Sequence, residues 1–313
     1  MKHFRPRLSR RAFWVLCALL VCLRLALTGF QQAYIWVGGA PLDDELMFRA
    51  ANHITAGQWL GAYDYLTLSK AMFFPVWLAL LHALHLPYLI SGAALWCGAA
   101  LLAAFAFSTL WRKKDPAQGR VLTLGLFAAL AFLPSSWAAY TLRVYRDNIF
   151  PALCLYFFAG MAGMALRAVF TPEKPLWPWL AAAGAGLACG YLDREDAGLF
   201  LLPFAAAATV IVAVVLAGKR RWKALAAQVI PYVMLGVGVL TFCTQLHTLR
   251  RVCAVRLFGR LLCRGHGRDD ARGHRQHRAL PLRARRRPRE NLRRCAGIGA
   301  AGLLAGGGRP AAE

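Results

Sequence analysis

Three consecutive acids, Asp43, Asp44 and Glu45, follow Pro41 and precede Met47, Ala50, Ala51 and Ile54, which recur at helical spacing until Gly57. That order predicts a capped amphipathic helix with its carboxylates in the first turn, where unpaired backbone N–H groups and the positive end of the dipole favour negative charge. A single side chain suffices for a cap, with Asp43 as its candidate, so three acids exceed that need. A carboxylate held there can act as a general base or help to hold a divalent cation. The basic partners for such chemistry are Lys70, then Arg143 and Arg146 in YTLRVYRDN with Asp147, and Arg194 with Glu195 in LDREDAG. Two arginines three residues apart share a helix face and can grip a phosphate through paired N–H donors, which arginine does better than lysine. The bland alternatives are interfacial snorkelling for the arginines and a charged turn at the water interface for 192–198.

These residues need a scaffold, and the composition says which kind. Of 313 residues, 58% are hydrophobic and 17% charged, against roughly 25% charged in an ordinary soluble domain. The mean hydropathy is +0.44, which excludes an ordinary soluble enzyme. Apolar runs at 12–30, 88–111, 121–139, 149–168, 177–192, 197–217 and 224–246 are each about long enough to span a ~30 Å hydrocarbon core as a helix. A further run at 71–86 is short and closed by Pro87, giving seven or eight spans in an all-α transmembrane bundle. Seven crossings with the N-terminus inside leave Arg5, Arg7, Arg10, Arg11, the 112–120 cluster, Arg167, Lys174 and the 219–223 cluster on the cytoplasmic side. The same choice gathers every candidate site residue on the outer face, with a long first outer loop at 31–75 that carries interfacial helices.

With a first helix, an Asp-Asp pair in the first outer loop, GQWLGAY at 57–63 and LSKAMFFP at 68–75, the chain resembles the polytopic GT-C-type glycosyltransferases. The protein O-mannosyltransferases and aminoarabinose transferases belong to that class. The resemblance covers roughly residues 10 to 246. It implies Asp43 or Asp44 as catalytic base, Lys70 near the phosphate of a polyprenyl-phosphate-linked sugar donor, and an extracytoplasmic acceptor at a bacterial-type cytoplasmic membrane. Glu45, Arg143, Arg146, Asp147, Arg194 and Glu195 are the remaining candidates for substrate binding. Two departures stand out: only Asp147 can serve as the second outer acid, and no recognisable C-terminal domain follows the helices. The alternative is a transporter or a non-catalytic membrane protein, although a transporter would hold its acids at the bilayer midplane.

The net charge of +24 is unevenly placed: residues 1–249 carry +11 and residues 250–313 carry +13. All 7 lysines precede position 224, and the tail is rich in Arg, Gly, Ala and His without apolar periodicity. An anion-binding arm is one reading of residues 247–313, and a loose metal-like set of Cys263, His266, His274 and His277 is a second. The third, preferred because the change is abrupt and would put a basic tail outside, is an out-of-frame continuation, which leaves room for an inactive chain. Nucleic-acid binding is not expected. Arg24 within the first span is expected to snorkel outward, and the cysteines read as small buried hydrophobes.

Overall fold

The computed structural model describes residues 7–36, 41–59, 61, 70–111, 115–171, 173–194 and 196–241. They all belong to the unit Met1–Leu249; the second unit, Arg250–Glu313, and the tail expectations for 247–313 lie outside the described residues. Among the described residues the chain is all-α, without a strand and with one isolated parallel bridge, Tyr34 to Arg143.

Helix α1 (Arg10–Gly29) opens on Ser9, whose hydroxyl accepts from Ala12 N–H at 3.1 Å, and buries Phe13, Cys17, Arg24 and Thr28 along one stripe. Its other faces leave Val15 and Leu19 58% exposed. The last described run shows the same arrangement, with Val229, Val233, Val237 and Leu240 outward at helical spacing. Large aliphatic residues outside and alanines inside make sense where the surroundings are hydrocarbon. Five helical stretches are long and apolar enough to cross a membrane: Arg10–Gly29, Tyr88–Ser108, Arg146–Phe170, Ala197–Gly218 and Trp222–Thr241. The chain is accordingly a membrane protein.

Two further expected spans form shorter helices, α5 (Pro116–Ala131) and α8 (Trp177–Asp193). The first is displaced from the 121–139 run. It starts on Asp115, whose carboxylate accepts from Ala117 and Gln118 N–H, and it stops before Pro134, which lacks a donor and disfavours helix in the preceding residue. The freed stretch becomes two short 3-10 turns, Pro134–Trp137 and Arg146–Asn148, flanking α6 (Ala139–Leu142).

Helix α4 (Tyr88–Ser108) runs parallel to α7 (Phe150–Phe170), since Gly92 meets Asn148 and Gly98 meets Tyr156. Helices α7 and α8 cross antiparallel at small residues: a Cβ on Gly160 or on Gly186 would lie 2.5 Å from a backbone nitrogen of the other helix. Helix α9 (Ala197–Gly218) packs Phe204 edge-to-face on Phe158, with ring centroids 4.8 Å apart. At one end of the bundle Arg120 donates to Leu8 O and Lys219 to Ala168 O. The candidate residues occupy the other end.

Helices α2 (Pro41–Thr55) and α3 (Phe73–Ala83) also occupy that second end. Helix α3 has 11 residues, about 16 Å at the usual rise, half the hydrocarbon thickness. It closes with His85 at φ +52°, whose N–H reaches His82 O while Leu86 N–H reaches Leu81 O. The chain then doubles back, because Tyr88 meets Phe74 edge-to-face at 6.2 Å. The 71–86 segment therefore starts and finishes at the same end of the bundle. Helix α2 ends in the same motif, with Gly57 at φ +72° and Gln58 N–H on His53 O. Gly61, at φ +81°, lies against the His53 ring, where a Cβ would come within 2.5 Å. The described part of GQWLGAY thus has a local structural use, as the C-terminal cap of α2.

Candidate functional site

Helix α2 begins at Pro41, so Asp43 and Asp44 both fall within its first turn and neither is the capping residue. Successive helical residues point about 100° apart, and the three acids separate accordingly. Asp44 turns inward and is 1% exposed, Asp43 lies at the edge, and Glu45 faces solvent without an ion pair or hydrogen bond among the described residues. The inward face of α2 also buries Leu46, Met47, Ala50 and Ala51. These fix its rotation against Met72 and Phe74 of the neighbouring segment and Tyr145 of the 132–149 stretch.

Asp44 is fully engaged. Arg143 Nε donates to its Oδ1 at 3.1 Å and Oδ2 at 3.3 Å, Arg143 Nη2 also reaches Oδ1, and Trp36 N–H donates to Oδ2 at 2.8 Å. The guanidinium lies over two aromatic rings, 4.4 Å from the Tyr145 centroid and 5.2 Å from that of Trp36. Around the pair, Tyr34 N–H donates to Leu142 O, Val144 N–H donates to Tyr34 O, and the Tyr88 hydroxyl reaches the carbonyls of Arg143 and Tyr145. Burial works against the Arg143 cation, but the Asp44 carboxylate outweighs it and raises the guanidinium above its ordinary value.

Asp43 keeps an open side. Its carboxylate lies 3.2 Å from Lys70 Nζ and accepts a long hydrogen bond from the Tyr145 hydroxyl at 3.4 Å, with 37% of the side chain exposed. Burial pushes the Tyr145 phenol up, so it remains a donor. Tyr145 also carries the Arg146 guanidinium at 5.2 Å on its ring, and Arg146 Nη1 donates to Asp193 O. Arg194 forms the next link. It donates to Asp147 Oδ1 at 3.1 Å and, through two nitrogens at 3.0 Å, to both oxygens of Asp196. That paired bond raises the Arg194 guanidinium and holds the Asp196 carboxyl below the usual carboxylate range.

The structure therefore brings Asp43, Asp44, Lys70, Arg143, Arg146, Asp147 and Arg194 to one end, in three ion-pair groups, Asp43 with Lys70, Asp44 with Arg143, and Arg194 with Asp147 and Asp196, and Tyr145 touches Asp43, Arg143 and Arg146. Glu45 stands apart, and Glu195 lies outside the described residues. Sequence reasoning missed Tyr145, although its place between the two arginines in LRVYRD was a signal, and it did not pair Asp196 with Arg194. Arg24 does not snorkel: it is 3% exposed, with its guanidinium 3.4 Å over the Trp137 ring. A divalent cation at Asp43 and Asp44 would have to displace Arg143 from Asp44. Among the described residues no group of three or more His, Cys, Asp or Glu side chains could hold a metal. The arrangement offers one accessible carboxylate beside cations and a phenol donor, able to take a proton next to a bound anion. Comparison with protein-family models, curated proteins and solved structures yields no match.

Proposed function

We propose that the chain is a membrane glycosyltransferase that moves a sugar from a polyprenyl-phosphate carrier to an acceptor on the outer face of a cytoplasmic membrane. What carries this reading is the Asp43 carboxylate: partly exposed, adjacent to Lys70, and located at the end of the bundle remote from Arg120 and Lys219. With the N-terminus inside, the end that carries Arg120 and Lys219 is cytoplasmic by the positive-inside tendency, which leaves Asp43 on the outer face. The doubling back of 71–86 supports seven crossings over eight.

In this reading Asp43 takes the proton of the acceptor hydroxyl. The acceptor oxygen bonds to the sugar's anomeric carbon, the bond from that carbon to the phosphate oxygen breaks, and the electron pair leaves with the carrier phosphate. Lys70 stabilises the developing negative charge. Asp44 is the poorer base because both its oxygens accept from Arg143; its part is to seat α2, and with it Asp43, against the 142–145 strand-like stretch. Proteoliposomes of the full chain, supplied with radiolabelled polyprenyl-phosphate sugars, provide the test. Asp43→Asn should lower turnover about 10²-fold or more, and equal turnover in parent and variant sinks the assignment of the base.

A further inference from the structure

Between α1, α4 and the 134–148 segment lies a cleft of about 40 Å³ whose walls include Arg24, Thr28, Gln31, Gly92, Ser136 and Asn148. By the space a single water needs, it holds about three waters, the size of a phosphoryl group. Arg24 is 3% exposed, and its Nη2 donates to Ser136 O at 2.9 Å and to Ser136 Oγ at 3.3 Å. Its Nε and Nη1 are buried without an acceptor, and no carboxylate pairs with it among the described residues. A buried cation left in that state is costly.

The opposite wall offers the complementary lack. Asn148 Nδ2 donates to Thr141 O at 2.7 Å, which fixes the orientation of the amide, and its Oδ1 is buried with no donor. Gly92 is what gives that oxygen room, since any Cβ there would overlap it. The cleft thus presents two unused donors on a cation and one unused acceptor. A ligand that satisfies both carries an anionic group and a hydroxyl. The cleft lies beside the last turns of α1, near the end of an apolar helix.

We propose that the cleft binds a hydroxyl-bearing phosphate ester, with its phosphoryl oxygens on Arg24 and its hydroxyl donating to Asn148. The unused N–H groups of Arg24 can each donate to a phosphoryl oxygen, and Trp137, 3.4 Å from the guanidinium, holds its plane. The site is separate from the Asp43 group and requires no transfer chemistry, so it stands or falls apart from the proposed activity.

Equilibrium binding to the purified full chain in a neutral detergent tests it, by calorimetry and by the shift in unfolding temperature. The probes are dioctanoyl phosphatidylglycerol, glycerol 3-phosphate, dioctanoyl phosphatidylcholine and glycolate. Either of the first two should bind saturably: the lipid alone identifies a membrane headgroup as the source, and glycerol 3-phosphate binding as well identifies a soluble ester. Arg24→Gln should weaken that binding about tenfold to a hundredfold. Asn148→Asp, which adds a negative charge to the wall, should weaken it comparably, and it supplies the comparison if the first variant does not fold. The proposal is overturned if neither ester binds, if phosphatidylcholine or glycolate binds as well as the esters, or if the folded variants bind like the parent.

Discussion

The Asp44–Arg143 pair makes a prediction that separates the two neighbouring aspartates. Asp44→Ala leaves the Arg143 guanidinium buried without its partner, a change that costs about 3–5 kcal/mol in comparable buried pairs, and it removes the acceptor of Trp36 N–H, about 1 kcal/mol more. Asp43→Ala breaks the partly exposed contact with Lys70, with side-chain exposures of 37% and 28%, and the long hydrogen bond from the Tyr145 hydroxyl at 3.4 Å, and exposed pairs of that kind are worth about 1 kcal/mol or less. At about 2–4 °C per kcal/mol for a chain of this size, Asp44→Ala should lower the unfolding midpoint by about 8–24 °C and Asp43→Ala by less than about 4 °C. Scanning fluorimetry of the detergent-solubilised chain measures both. Adding Arg143→Met to Asp44→Leu should recover most of the loss, because replacing the whole pair removes the orphaned charge. Equal shifts for the two aspartates, or losses that simply add in the double variant, would refute the assignment of Asp44 as a structural anchor.

Gln228 is 3% exposed and neither polar atom of its amide has a partner; Gln228→Leu should stabilise the chain by about 1–3 kcal/mol, read as a higher unfolding midpoint. Gly160→Leu forces a side chain into the backbone of α8 and should abolish a folded, monodisperse species in size-exclusion chromatography, while Gly125→Leu, which meets nothing within 4 Å, should not. Asp196 and Asp115 are held below the ordinary carboxyl value, Asp196 by Arg194 and Asp115 by the N–H groups of Gln118 and Ala117. Their contribution to stability is full above the unfolded value of about 3.9 and is lost as pH falls through the lower folded values. Acid unfolding should therefore steepen below about pH 4, and Asp196→Asn with Asp115→Asn should flatten it.

The spans at α1, α4, α7 and α9 were legible because a long apolar run has one stable form in hydrocarbon. The 121–139 run misled because apolar composition continues through Pro134, whose effect on the backbone is local while the window average is not. The acids at 43–45 could be recognised as a group but not sorted. One residue is 100° of helix rotation, and which acid faces inward depends on Arg143, 99 positions away. Arg24 was misplaced for the same reason: its acceptor, Ser136, is 112 positions on. Tyr145 has its role only through what converges on it, namely Asp43, Arg143 and Arg146 from separate turns of the chain.

That long reach from Arg24 to Ser136 and Trp137 bears on how the protein is made. Helix α1 leaves the ribosome before the 134–137 turn, and its guanidinium cannot find these partners until 112 more residues have followed, roughly 5–20 s at ordinary synthesis rates. Through that interval an arginine stands toward the end of an apolar helix without its later partners, at a cost below the helix-centre value of about 2.5–3.5 kcal/mol on insertion scales, carried by the insertion machinery or by bent lipid. Helix α1 is thus a provisional anchor, and the arrival of the 134–137 turn makes its place in the membrane permanent.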